Sequence, residues 1–144
     1  MFKRLTWAFG LSTLIATPAL SETIEVQMLN KGTDGERMVF EPAFIRAQPG
    51  DTLAFKATDK GHNAETLDGM LPEAATPFAG KINEEITVTL DAAGVYAVIC
   101  KPHYAMGMVM IVAVGDVAQA PDDFLAGRVP PKAKARFEDQ LNNL

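Results

Sequence analysis

The sequence predicts an all-β fold, a small sandwich of short strands that is followed by two short α-helices at the carboxyl end. Apolar and polar residues alternate with a period of two over several short runs. Turn-forming residues separate these runs. The pattern then changes to a helical spacing over residues 117–144.

Five runs predict the strands. Three alternate along their length and indicate strands with one buried face: 23–28, 52–57 and 86–90. A fourth run, 95–99, leads directly into Cys100. The fifth, 108–114, is apolar at every position, which is typical of a strand that is buried on both faces. We expect these strands to pair in an antiparallel way.

Turn signals separate the strands. Pro49 and Gly50 fit the centre of a type II turn, in which the glycine takes a positive φ. Similar breaks occur at 32–35 and 91–94. Residues 60–84 are less regular and are expected to form mostly loop.

The carboxyl-terminal segment predicts two helices. Pro121 can begin the first, which ends near Gly127, and the Pro130-Pro131 pair can begin the second. In the second helix one apolar stripe follows from a spacing of four: Ala133, Phe137 and Leu141. We expect the stripe to pack on the sandwich, because it is narrow and its polar face has mixed charge, unlike a membrane-binding helix.

The amino-terminal residues predict a secretory signal peptide over 1–21. Lys3 and Arg4 precede a mostly apolar run, and small residues lead to a cleavage site after Ser21. An uncleaved membrane anchor is the alternative, but the run is short and polar residues and a proline interrupt it. The expected mature chain is one domain, 22–144, with a sandwich over 22–116 and a helical tail over 117–144.

The charge balance limits the partners. The chain has 13 basic and 18 acidic residues and a formal net charge of −5. An acidic average surface disfavours nucleic acid as a partner. No segment after the signal peptide is long and apolar enough to insert into a membrane, and we expect a monomer.

The residues that can bind a metal are few. Cys100 is the only cysteine, and His62 and His103 are the only histidines. Two imidazoles, one thiolate and a thioether form the ligand set of a blue-copper electron-transfer site. Cys100 and His103 share one short loop between two predicted strands, whereas His62 follows a strand that we expect in the other sheet. A metal ion there would connect the two sheets.

The thioether is ambiguous by spacing alone. Met106 and Met108 both lie within reach of the predicted site. The chain has seven methionines, and a methionine most often fills gaps in a core. Both candidates therefore stay open on this argument.

Three other functions use similar residues. A zinc site is chemically allowed, since histidine and cysteine both bind zinc. A thiol hydrolase is disfavoured, because Cys100 leads into a Lys-Pro loop and not into the helix start that would activate a nucleophile. A copper carrier is the main rival, and it differs by having an open, exchangeable site.

The loop Cys100-Lys101-Pro102-His103-Tyr104-Ala105-Met106-Gly107-Met108 resembles the copper loop of pseudoazurins, which are bacterial periplasmic cupredoxins. The resemblance extends over nearly all of 22–144. Further matching segments are 25–26, 28–32, 38–43, 49–52, 59–63, 81–84 and 113–116. The resemblance implies a cupredoxin-type Greek-key β-sandwich with two carboxyl-terminal helices.

The resemblance also implies the roles of individual residues. The implied copper ligands are His62, Cys100, His103 and Met108, whereas Met106 would suit the shorter amicyanin-like loop. Asn63 is implied to brace the two ligand loops. The chain departs from the common cupredoxin pattern at Lys101, where serine or threonine usually follows the copper cysteine. We therefore leave open any hydroxyl contact from that position to Asn63.

Finally, the resemblance implies how electrons leave. The second histidine would lie near the surface in an apolar patch that Met38 and Pro102 help to line. A ring of lysines would meet acidic partners there: Lys31, Lys60, Lys81 and Lys101. Ordinary solvated lysines are the alternative interpretation. The implied function is that of a periplasmic one-electron carrier, not an enzyme, which uses one Cu(I)/Cu(II) ion. It would deliver electrons to a nitrite reductase, with other reductases as further acceptors and c-type cytochromes as donors.

Overall fold

The computed structural model describes residues 20–144, so the predicted signal peptide lies almost wholly outside the described residues. The described chain forms eight strands, a short 3₁₀ segment and one α-helix. The strands are β1 (Thr23–Lys31), β2 (Arg37–Glu41), β3 (Phe44–Ala47), β4 (Thr52–Lys56), β5 (Glu65–Thr66), β6 (Ile86–Thr89), β7 (Gly94–Ile99) and β8 (Val109–Val114). The 3₁₀ segment is Lys101–Met106, and the helix α1 is Pro131–Leu141.

The strands form two four-stranded sheets. The first has the order β2-β1-β4-β6 and the second the order β3-β8-β7-β5. Most neighbours are antiparallel, but β1 pairs with β4, and β3 with β8, in parallel. The expectation of purely antiparallel pairing is therefore wrong for these two pairs. Alternation in the sequence shows which face of a strand is buried, but it carries no information on the direction of the partner strand.

The predicted burial pattern is confirmed except in β4, where Ala54, on the face expected to be exposed, is also buried. The main core lies between the sheets and contains, among others, Val26, Phe55 and Val112. Every residue of β8 is buried. One face of β8 packs into the main core, and its other face packs against α1, whose Ala133 and Phe137 are fully buried. Each large apolar side chain buried in this way contributes about 1.5–3 kcal/mol.

The predicted turn at Pro49-Gly50 is also confirmed. Gly50 has a φ of +97°, and the Asp51 N–H donates to the Gln48 carbonyl at 3.0 Å. A residue with a side chain would be strained at this φ. The turn connects β3 of the second sheet to β4 of the first, so it returns the chain across the sandwich.

Only the second of the two predicted helices forms. Residues 121–126 are turns instead, in which the Phe124 N–H donates to Pro121 and the Ala126 N–H to Asp123. The segment is too short to offset the cost of helix nucleation. Burial of the Phe124 side chain fixes its position instead. Among the described residues no helix is long and apolar enough to cross a membrane.

Candidate metal centre

The structure brings the predicted ligands to one end of the sandwich. Cys100 directly follows β7, His103 lies in the 3₁₀ segment, and Met108 directly precedes β8. These three come from the second sheet. His62 lies in the loop between β4 and β5, and it approaches from the side of the first sheet.

Three donor atoms face one another. Cys100 Sγ lies 3.7 Å from His62 Nδ1 and 3.5 Å from His103 Nδ1, and the two imidazole nitrogens are 3.1 Å apart. Ligands bound at about 2.0–2.3 Å to one ion in a trigonal plane would be about 3.5 Å apart. The triangle therefore fits a single metal ion.

Burial determines the protonation of the free site. His62 and Cys100 are fully buried, and His103 is half-buried. Burial raises the pKa of the Cys100 thiol, although N–H groups of Asn63 and His103 partly offset it. Burial, and then the charge of His103, lowers the pKa of His62. The free site at neutral pH thus holds a thiol and a neutral imidazole, and a bound metal must displace the thiol proton.

The two methionines of the loop differ sharply in exposure. Met108 is fully buried, whereas 42% of Met106 is exposed. The Met108 carbonyl accepts from the Cys100 N–H at 3.0 Å, and the Met108 N–H donates to the His103 carbonyl at 3.2 Å. The backbone of Met108 is therefore bonded to two of the converging residues.

Asn63 connects the loop that holds His62 to the loop that follows Cys100. Its Oδ1 accepts the Lys101 N–H at 2.7 Å, and its Nδ2 donates to the Gly80 carbonyl and to Glu65. The contact at position 101 uses the main chain, so it does not depend on a hydroxyl side chain. The Lys101 side chain is exposed.

Asn30 is a residue of the site that the sequence reasoning missed. Its Oδ1 lies 2.9 Å from His62 Nε2, and its N–H donates to Asp59 at 2.7 Å. A carbonyl oxygen can only accept, so Nε2 carries the proton and Nδ1 has a free lone pair for the metal. Asn30 lies in one of the segments that match the pseudoazurins. The sequence did not reveal its contact with His62, because 32 positions separate the two residues.

We expect Asn30→Ala to weaken metal binding by about 10–100-fold, because an unanchored imidazole loses its orientation and its preferred tautomer. Competition with a chelator of known affinity measures this change. Asn142→Ala, at an exposed position beyond α1, is the control and should bind metal as the unaltered chain does. Equal affinities for Asn30→Ala and the control would contradict the assigned role.

The predicted docking residues lie close to the ligands along the chain. Lys31 follows Asn30, Lys60 precedes His62 by two residues, and Lys101 follows Cys100. Lys81 begins a turn in which the Asn83 N–H donates to the His62 carbonyl. All four lysines are exposed, as is Pro102, and Met38 is half-buried. Ile82, with 56% exposure, adds an apolar side chain that the sequence reasoning did not include.

Comparison with known proteins identifies copper-binding relatives of this chain, in agreement with the geometry of the site. The family described as copper binding proteins, plastocyanin/azurin family, matches residues 26–115. A pseudoazurin of Paracoccus pantotrophus is 47% identical over 127 residues, which cover 88% of this chain and 87% of the relative. A pseudoazurin of Methylorubrum extorquens is 47% identical over 118 residues, which cover 81% of this chain and 79% of the relative.

Solved structures agree with the sequence relatives. The pseudoazurin from Methylobacterium extorquens superposes with a TM-score of 0.76 at 39% identity, and covers 84% of this chain and 98% of its own. Native pseudoazurin from Hyphomicrobium denitrificans superposes with a TM-score of 0.77 at 35% identity, over 85% and 98% of the two chains. The cupredoxin fold is thereby confirmed.

The predicted cofactor is also confirmed, since the family and the converging side chains agree on one copper ion. Members of this family are electron carriers and not enzymes. Cofactor, fold and sequence lead to one conclusion: the chain belongs to the pseudoazurins, within the plastocyanin/azurin family of copper-binding proteins.

Proposed function

We propose that the chain shuttles single electrons in the periplasm on one type 1 copper, held by His62, Cys100 and His103 with Met108 as the axial ligand. The observation that carries this is the triangle of donor atoms, with edges of 3.1–3.7 Å. The burial of Met108 and the exposure of Met106 support the axial assignment. We take residues 22–144 as one domain, because α1 packs directly on β8.

The fixed positions of the ligands suit fast electron transfer. Copper bound there would supply a one-electron couple, and the chain already holds three of the residues that would bind it close together. Asn30 orients His62, and Asn63 ties the His62 loop to the loop after Cys100. Complete burial of His62 and Cys100 excludes water, whereas the half-buried His103 gives electrons a short route to the surface.

The surface around His103 suits a transient redox contact. Exposed lysines and apolar side chains lie beside the ligand loops of a chain whose net charge is −5. A local positive face on an acidic protein steers an acidic partner to that face. We propose a nitrite reductase as the acceptor and c-type cytochromes as donors, with a monomeric carrier between them.

The first experiment is a visible spectrum of the copper-loaded, oxidised protein, followed by cycles of reduction and reoxidation. Strong absorption that is lost on one-electron reduction, and that returns on reoxidation without loss of copper, supports the proposed function as an electron carrier. Copper that leaves the protein on reduction would favour a copper carrier instead. Bound zinc with no visible band would overturn the proposal.

The partner is tested separately by stopped-flow oxidation of the reduced protein with a copper nitrite reductase. We expect the rate to fall steeply with salt, because the contact is electrostatic. Lys60→Glu and Lys81→Glu should slow the reaction, while Lys134→Glu, on the outer face of α1, serves as the control for net charge. A rate that does not change with salt, or that Lys60→Glu and Lys81→Glu slow no more than Lys134→Glu does, would contradict the docking face.

We also propose that residues 1–21 are removed on export, since they have the charge and hydropathy pattern of a signal peptide. The Glu22 nitrogen donates to Asp51 Oδ1 at 2.8 Å, and the Glu22 carbonyl accepts from the Thr52 N–H. Cleavage after Ser21 would convert this donor into an ammonium group, which forms a stronger, charge-assisted bond. The intact mass of the protein recovered from the periplasm tests the cleavage site.

Asp51 gives this anchor a defined pH dependence. N–H groups of Gln48 and Glu22 hold the pKa of its carboxyl below the usual value. Its contribution to stability is therefore complete above the pKa of the unfolded carboxyl, and it is lost as the pH falls through the lower pKa of the folded state. We expect Asp51→Asn to lower the melting temperature at pH 7 by a few degrees, and the deficit to shrink in acid. Asp116→Asn, at an exposed position, is the control, and an equal deficit at every pH would contradict the charge-based account.

A further inference from the structure

We propose that Arg136 of α1 is a positioning residue for the electron-transfer site, because one guanidinium group joins the end of the copper loop to the backbone at Met38. The inference rests on the proposed function, since it concerns the same site. It assigns to the helical tail a role beyond covering β8, namely to fix the position of Gly107 and therefore of the adjacent Met108.

The contacts are short and specific. Arg136 Nη1 donates to the carbonyls of Met38 and Gly107, both at 2.7 Å. Nη2 donates to the Arg37 carbonyl and to Glu36 Oε2, both at 2.9 Å. Only 17% of the side chain is exposed. A guanidinium group has a rigid, planar set of donors that can serve several acceptors at once, which a lysine cannot reproduce.

The loop end lies directly against the helix. Gly107 has a φ of +84°, and a Cβ there would lie 3.0 Å from Lys132 Cγ and 3.1 Å from Arg136 Cδ. Tyr104, earlier in the same loop, packs into the cluster around Ala133 and Phe137. The helix therefore supports the loop at two points, and Arg136 provides the polar one.

The hydrogen bond from Arg136 to the Met38 carbonyl connects the helix to a residue of the proposed docking face. Met38 has a φ of +54°, an uncommon conformation for a residue with a side chain, which persists where the surroundings hold it. Its carbonyl accepts from the same Nη1 that binds Gly107. The backbone of Met38 and the loop end that leads into Met108 are thus linked through a single side chain, although 98 residues separate Arg136 from Met38.

Two substitutions of the arginine test this role. Arg136→Met keeps the apolar stem and removes all donors, and Arg136→Lys keeps the charge but not the planar set of donors. Lys134→Met removes one positive charge from an exposed position of the same helix. Glu36→Gln weakens only the ion pair and leaves the two carbonyl contacts at 2.7 Å intact.

The first readout needs no copper. In the metal-free protein we expect Arg136→Met to accelerate hydrogen exchange of the Gly107 and Met108 amides by about tenfold or more, because these amides lie at the released loop end. The Val112 amide in the core of β8 should change by less than about twofold, which separates a local effect from global destabilisation. The second readout is the visible spectrum of the copper form, whose band positions and relative intensities should change in both arginine variants and in neither control.

The outcomes separate this inference from the proposed function. If the unaltered protein shows no thiolate–copper band, the proposed function fails whatever Arg136 does. If that band is present, and both arginine variants exchange and absorb as Lys134→Met does, the positioning role is wrong. Should Arg136→Met fail to fold, Arg136→Lys alone decides between the same two results.

Discussion

We expect Cys100→Ser to abolish the strong visible absorption of the oxidised copper form and, with it, reversible one-electron cycling. A serine hydroxyl fits the space of the thiol, but it stays protonated at neutral pH and offers a hard oxygen in place of a soft thiolate. A cysteine thiolate can bind both oxidation states of copper, and the strong absorption of a blue-copper site arises from transfer of charge between the sulfur and the metal. We expect the visible band to fall to background and the affinity for copper to fall by several orders of magnitude.

The control has to separate loss of the ligand from damage to the loop. Met106→Leu alters the same loop at an exposed side chain, and it should keep the band at full strength. Circular dichroism of both metal-free variants checks that the sandwich is intact. A Cys100→Ser protein that retained strong absorption would remove the thiolate from the site, and with it the type 1 assignment.

The sequence predicts best the parts of the fold whose burial is regular. The strands at 23–28, 52–57, 86–90 and 95–99 and the buried strand at 108–114 all appear, because each packs apolar side chains on the main core. We did not predict β2, β3 or β5. β5 has only two residues, and β2 contains Met38, whose backbone lies outside the usual strand region. A pattern of period two cannot show a strand as short as β5 or as irregular as β2.

The residues of the site also differ in whether the sequence reveals them. His62, Cys100 and His103 stand out because the chain has no other cysteine or histidine, and the structure brings them together. Asn30 and Arg136 do not stand out, since amide and guanidinium side chains are common on surfaces. Their contacts join segments 32 and 98 residues apart, so only the folded chain reveals them. The same reason hides the parallel pairing of β1 with β4.

The spacing left open whether Met108 or Met106 is the thioether ligand, and substitution of the true ligand should change the reduction potential. We expect Met108→Leu to raise the reduction potential, because the thioether is a weak extra donor that Cu(II) uses more than Cu(I) does. Each tenfold loss of preference for Cu(II) raises the potential of a one-electron couple by about 59 mV. One to two such steps are expected. Leucine nearly conserves the volume of methionine, so the fold should lose less than about 1.5 kcal/mol.

Met106→Leu is the matched control, since it makes the same chemical change two positions earlier on an exposed side chain. Its potential should equal that of the unaltered protein. A redox titration of both variants, followed by the visible band, gives the two values directly. If Met108 only filled the core, Met108→Leu would lower stability slightly and leave the potential unchanged. A shift in Met106→Leu alone would transfer the axial role to Met106, and the loop would then need to fold its exposed thioether inward to reach Cys100 and His103.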